Sequence, residues 1–171
     1  MLDRLFDFIS SFLYLFKFWL VIDEYERAII LRLGKKHREL HAGFHWLLPF
    51  KLEVAARDNV VPIATRLKEQ SLTTNDGKDV VLTPIVEWRI VEISLACLEV
   101  EDLDKSLDAA ASGVVGDAVS SWDWADIQTG DFIEYVTDQI REKAITWGVY
   151  IVSVTFADCC PARSYRLWTS T

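Results

Sequence analysis

Basic charge is in short supply in this sequence. Lys and Arg number 18 against 26 Asp and Glu, a formal net charge of -8, and no stretch builds the concentrated positive face that nucleic-acid phosphates demand. Cysteine is scarce too. The three thiols, Cys97 and the adjacent Cys159 and Cys160, are an odd number without C-x-x-C spacing, which argues against a disulfide framework or a zinc site and fits reduced thiols in a cytoplasmic setting. Catalytic signatures are missing: no G-x-S-x-G, no H-E-x-x-H and no glycine loop to cradle phosphate. His37, His41 and His45 would align as metal ligands only on a helix, and Gly34 and Gly43 interrupt that region. Glu99, Glu101, Asp102, Asp104 and Asp108 read as a solvated helix start rather than as paired catalytic carboxylates. No serine has a dedicated base, so the expectation is a protein without catalytic, cofactor or metal residues.

What is abundant is apolar. A hydrophobic share of 51% with seven tryptophans excludes a disordered chain, and 171 residues suffice for one domain, or two small lobes, with a core of its own. Leu5 to Ile22 (LFDFISSFLYLFKFWLVI) is broken only by Asp7, Ser10, Ser11 and Lys17, and as a helix it would run about 27 Å, close to a hydrocarbon core. Asp3 balances Arg4 and no small-residue cleavage site follows, so this is no secretory signal and stays in the mature chain. Asp3, Asp7, Ser10, Tyr14 and Lys17 fall on one polar stripe of that helix. A spanning helix would turn the stripe, with Asp7 and Lys17, toward neighbouring copies. An in-plane helix would lay the opposite face among acyl chains, and a buried core helix is the third reading. The basic residues from Arg27 to Arg38 place the main body on the cytoplasmic side by the positive-inside count.

Ala28 to Leu33 reads as a buried strand ending at Gly34, and Lys35 to Arg38 as a charged connection. FHWLLPF, with Pro49 inside it, reads as an apolar loop, either tucked under the lobe or dipped into lipid. Asn75-Asp76-Gly77 marks a hairpin turn into a strand where Val80, Leu82, Pro84, Val86 and Trp88 share one face. Leu103 to Val119 and Phe132 to Trp147 carry helical spacing, with Asp102 as N-cap and Gly148 as terminator, and Val149 to Phe156 is a final strand. Trp122 and Trp124 suit local packing better than a ligand or a neighbouring subunit, and Cys159 and Cys160 suit a packed strand end.

VIDEYERAIILRLGKKHRELHAGFHWLLPF resembles the opening of the SPFH, or band 7, domain: an apolar anchor, a Glu-Arg-Ala strand, a Leu-Gly turn, a Gly-aromatic-His step and a Pro-Phe loop. SLTTNDGKDVVLTPIVEWRI resembles that family's hairpin, and WGVYIVSVTFADCCP its closing strand, so the matches cover nearly the whole chain in order. The resemblance to the stomatin and prohibitin relatives implies an α+β fold. The segments would be a membrane-anchoring helix over 1–22, a strand-rich lobe over 23–92 and a helical lobe over 93–171. It implies a membrane scaffold that self-assembles and organises a membrane microdomain. The alternative is a small tethered adaptor that regulates one partner, such as an FtsH-type membrane protease or a longer SPFH protein. Relatives usually carry a long coiled coil after this domain; without heptads before Thr171 the expectation is a short member forming a flatter ring or belt. The lipid-contacting set would be Leu5, Phe6, Ile9, Phe12, Leu13, Phe16, Trp19 and Leu20, with Trp46, Leu47, Leu48 and Phe50 as a second contact.

Overall fold

A computed structural model describes residues 19–48 and 52–162. Its strands come first. β1 (Trp19–Ile22) pairs with β4 (Gly43–Trp46) as a two-stranded antiparallel ribbon, while β2 (Glu26–Arg32) lies between β3 (Lys35–Leu40) and β5 (Glu53–Asn59). The helix expected to run through Ile22 is therefore corrected at its end: Trp19–Ile22 is extended, because each residue finds a ladder partner in Gly43–Trp46. The charged connection at Lys35 to Arg38 is corrected as well. It belongs to β3, which a two-residue turn folds back on β2 with Arg32 opposite Lys35. An edge strand so rich in charge resists pairing with other chains.

The AIIL run in β2 is apolar at every position because both faces are covered. Ala28 and Ile30 point toward the ribbon and make a small core with Ile22 and Leu40, against which Leu20, Leu47 and Ala55 pack. Ile29 and Leu31 point the other way, into the main core.

The second sheet is organised around β8 (Asp79–Ile90). β6 (Ile63–Arg66) and β7 (Gln70–Thr73) lie end to end along one of its edges, and β9 (Val149–Pro161) runs along the other. The alternation read from the sequence holds: Val80, Leu82, Pro84, Val86 and Trp88 are all buried. Pro84 survives in a central strand because it falls at the junction of β6 and β7 and at a register shift against β9, where no ladder donor is needed. The final strand is longer than expected and carries Cys159 and Cys160, both exposed rather than packed.

Among the described residues four helices follow: α1 (Ile93–Leu98) lies against β2 and β5, α2 (Leu103–Ser121) and α4 (Gly130–Ala144) pack on this sheet at β7 and β9, and α3 (Trp124–Ile127) packs on α4. The Asp102 carboxylate caps α2 by accepting from the Lys105 amide at 3.1 Å. Leu107, Ala111, Val114, Val115, Ala118 and Val119 form its buried stripe, and Phe132, Val136, Ile140 and Ala144 that of α4. A 3-10 turn (Ile145–Trp147) follows α4 and ends at Gly148, whose φ of 70° is left-handed. The Gly148 carbonyl accepts from Val91 and Glu92 at 2.9 and 3.0 Å, tying the start of β9 to the end of β8.

A second clamp joins the β7–β8 hairpin turn to the α2–α3 connection. The Asn75 amide group donates to Asp123 at 2.8 Å, and the Asn75 N–H donates to the Trp122 carbonyl at 3.1 Å. Asp76 accepts from Thr74 and from the Trp124 N–H at 3.2 Å, and pairs with Lys78 at 2.7 Å. The Lys78 ammonium, then the Thr74 hydroxyl, hold the Asp76 carboxyl down to about 2. Trp122 lies against Phe132 and Tyr135, with ring centroids 5.5 and 5.6 Å away, so its packing is local.

Candidate functional site: an apolar tip on the first sheet

The β1–β4 ribbon has a period of two, so its residues alternate between an inward face and a more exposed outward one. Leu20 and Ile22 turn inward. Trp19 and Val21 turn outward, opposite Trp46 and Phe44 respectively, and all four are exposed, Trp46 by 62%. The Phe44 and Trp46 rings meet edge to face, with centroids 5.5 Å apart. Aromatic rings of this size on an open face suit the boundary between headgroups and acyl chains.

Strand direction gathers further apolar groups at the Trp19/Trp46 end. β2 and β3 turn there through Leu33 and Gly34, and β5 begins there at Glu53. The Leu33 N–H donates to the Leu52 carbonyl at 3.0 Å, so the hairpin turn and the loop before β5 are joined. Leu33 is exposed by 76%, and Leu48 and Leu52 are exposed beside it. Trp19 enters from Leu5 to Phe18, the apolar stretch of the sequence, at this same end.

Under the tip lies a buried carboxylate. The Glu53 side chain is 1% exposed and accepts from Arg32 Nη2 at 2.7 Å, Arg32 Nε at 3.0 Å and the Leu48 N–H at 3.0 Å, with Arg38 at 4.0 Å. Burial alone would push its carboxyl up; the Leu48 amide, then Arg32 and Arg38, outweigh that and hold it below the usual range. Arg38 also donates to the Trp46 carbonyl at 2.8 Å. Glu53 therefore fixes β2, β3 and the segment after β4 against one another, and sets the pose of Trp46 and Leu48.

Of the residues singled out in the sequence, Trp19, Trp46 and Leu48 come together on this exposed tip, whereas Leu20 and Leu47 pack inward on the small core. Leu5, Phe6, Asp7, Ile9, Phe12, Leu13, Phe16, Lys17 and Phe50 lie outside the described residues. Sequence reading missed Val21, Phe44, Leu33 and Leu52. The alternation Trp19-x-Val21 and Phe44-x-Trp46 was the available signal for the first two.

Elsewhere, chemistry is thin. The His45 ring nitrogen sits 2.7 Å from the His41 carbonyl, and among the described residues no three His, Cys, Asp or Glu side chains gather as metal donors. Although Cys159 is exposed, partial desolvation of its sulfur, then the neighbouring Cys160, push its thiol up, away from thiolate reactivity. An open groove of about 540 Å³ between α2 and α4 brings only Glu142 and Lys143 among charged groups. Among the described residues no helix is long and apolar enough to cross a membrane.

Fold and tip together define a strand-rich α+β domain with an exposed aromatic face and no catalytic constellation among the described residues. The SPFH domain / Band 7 family profile matches residues 20–166, and the chain belongs to that family. Two proteins are similar to it. An uncharacterized protein of Methanocaldococcus jannaschii, MJ0827, is 24% identical over 150 residues, 85% of this chain and 74% of its own. Protein HflK of Vibrio cholerae is 31% identical over 153 residues, again 85% of this chain but 38% of its own length.

Proposed function

We propose that this chain is a membrane-attached, non-catalytic SPFH scaffold that self-assembles into a ring or belt and organises a membrane patch or the proteins in it. The observation that carries the membrane reading is the exposed Trp19–Val21–Phe44–Trp46 face at the end where the Leu5–Phe18 stretch joins the domain. One end of the first sheet then meets lipid twice: through the apolar stretch, and through the ribbon and Leu48. Leu20 and Leu47 serve the small core and drop out of the lipid-facing set. Family membership supports assembly, with Asp7 and Lys17 as the polar contact between neighbouring copies and the main body on the cytoplasmic face. A membrane protease or another SPFH protein fits as partner through the likeness to HflK.

Two measurements test this. Flotation of the full chain with vesicles reads attachment: Trp19→Ser with Trp46→Ser weakens it, and unchanged flotation removes the ribbon from the contact. Light scattering of the detergent-extracted particle reads assembly. A large uniform particle supports the scaffold, and Asp7→Leu reduces its size without loss of attachment. A monomer would refute self-assembly and favour a tethered adaptor.

A further inference from the structure

The charge on the first sheet is divided between its ends. At the tip, Arg32 and Arg38 share the single carboxylate of Glu53, so the trio keeps one surplus positive charge. Lys36 is offset by Glu39 at 2.9 Å, and Lys35, beside the turn, adds a second positive charge. At the opposite end, about 20 Å along β2, Asp23, Glu24, Glu26 and Asp58 outnumber Arg27 and Arg57. In a chain of formal charge -8, this sheet thus turns its positive end toward the surface that carries its exposed apolar groups.

The turn itself holds a second clue. Type I′ hairpins want glycine, asparagine or aspartate at both central positions, yet the first here is Leu33 at φ 50°. A large apolar side chain is kept in a left-handed conformation and exposed by 76%, a combination that stability does not explain.

We propose that this tip is a headgroup-reading contact in which Leu33 enters the bilayer interface while Arg32, Arg38 and Lys35 select anionic lipid. The inference rests on the membrane reading above and adds a lipid class to it. The aromatic ribbon tolerates any bilayer, because rings partition by apolar area and not by headgroup. The basic rim does not: each Lys or Arg near an anionic surface strengthens contact about fivefold, an advantage that salt screens.

The test places an environment-sensitive fluorophore on Leu33→Cys in the full chain with Cys97, Cys159 and Cys160 changed to Ser. Leu52→Cys is a second label site should the turn not tolerate the dye. The protein is reconstituted into phosphatidylcholine vesicles and into equal parts phosphatidylcholine and phosphatidylglycerol, each with a nitroxide-bearing lipid. The expected result is a larger blue shift and stronger quenching in the anionic vesicles than in phosphatidylcholine alone, with the difference removed by high salt and the preference in affinity reduced about fivefold in Lys35→Ala. Four outcomes overturn it. A label that stays in water while the protein floats removes the tip from the membrane but leaves attachment standing. Equal quenching in both vesicles removes headgroup selection. A label already shielded in detergent particles makes the tip a protein interface. Loss of flotation itself brings down the membrane reading and this inference together.

Discussion

Gly148→Ala separates a crowded glycine from a merely left-handed one. A Cβ at Gly148 would lie 2.5 Å from the Glu92 carbonyl, 3.0 Å from the Leu95 Cβ and 3.1 Å from the Glu92 Cβ. The first of these is backbone, held by the bonds from Val91 and Glu92 to the Gly148 carbonyl, so it has nowhere to go. The left-handed backbone costs an L-residue about 1 kcal/mol. Overpacking against a fixed carbonyl adds about 2 kcal/mol. The sum, about 3 kcal/mol, is a large fraction of a domain stability of about 5–15 kcal/mol and lowers the melting temperature by about 6–12 °C. Gly34→Ala is the control: its φ is 79°, but nothing lies within 4 Å of the added carbon. It loses only the backbone part, about 2–4 °C. Thermal melting of the full chain in mild detergent, followed by circular dichroism, compares the two. Equal losses would refute the close approach of β9 to the β8–α1 corner.

Three further outcomes follow from the same geometry. Glu53→Gln costs about 2 kcal/mol, because an amide offers one acceptor oxygen where Arg32 and the Leu48 N–H need two; the partly exposed arginines keep it from costing more. A melting temperature within error of wild type would count against the carboxylate as a fixed node. Asp76→Asn loosens the hairpin clamp at neutral pH. Since the folded carboxyl sits at about 2, below its ordinary 3.8, its contribution is whole above pH 3.8 and fades as pH falls toward 2. Wild type and variant should therefore converge in acid, and a constant gap down to that pH would contradict the assignment. Leu33→Asn relieves the strained turn and stabilises the fold by about 1 kcal/mol in detergent while weakening anionic-vesicle contact; a loss of stability would show that the turn is not strained.

Much of the architecture was legible in local pattern. Alternation exposed the buried face of β8, helical spacing and Asp102 exposed α2, and Gly148 marked the end of the second helical run. Failures came where pairing overrules propensity. Trp19–Ile22 continues an apolar stretch whose sequence suits a helix, and only its partner Gly43–Trp46, three strands later, makes it extended. Lys35 to Arg38 looked like a connection because every residue in it is charged or a histidine, as part of an edge strand can be. The longest pairing among the described residues, β8 with β9, joins strands on either side of Glu92.

The candidate site divides along the same line. The sequence by itself determined that the chain is apolar, acidic, without catalytic motifs, and built of SPFH elements in order, because composition and near-neighbour periodicity need no partner to be read. Tertiary structure alone decided that Trp19 and Trp46 face out while Leu20 and Leu47 face in, since a side chain's side of a ribbon depends on what packs beneath it. It also brought Leu33, Leu48, Leu52 and the Arg32–Arg38–Glu53 node to one end of one sheet. Those residues fall on separate stretches between Arg32 and Glu53, and only antiparallel strands that turn at a common end bring their charges and apolar surfaces within reach of one another.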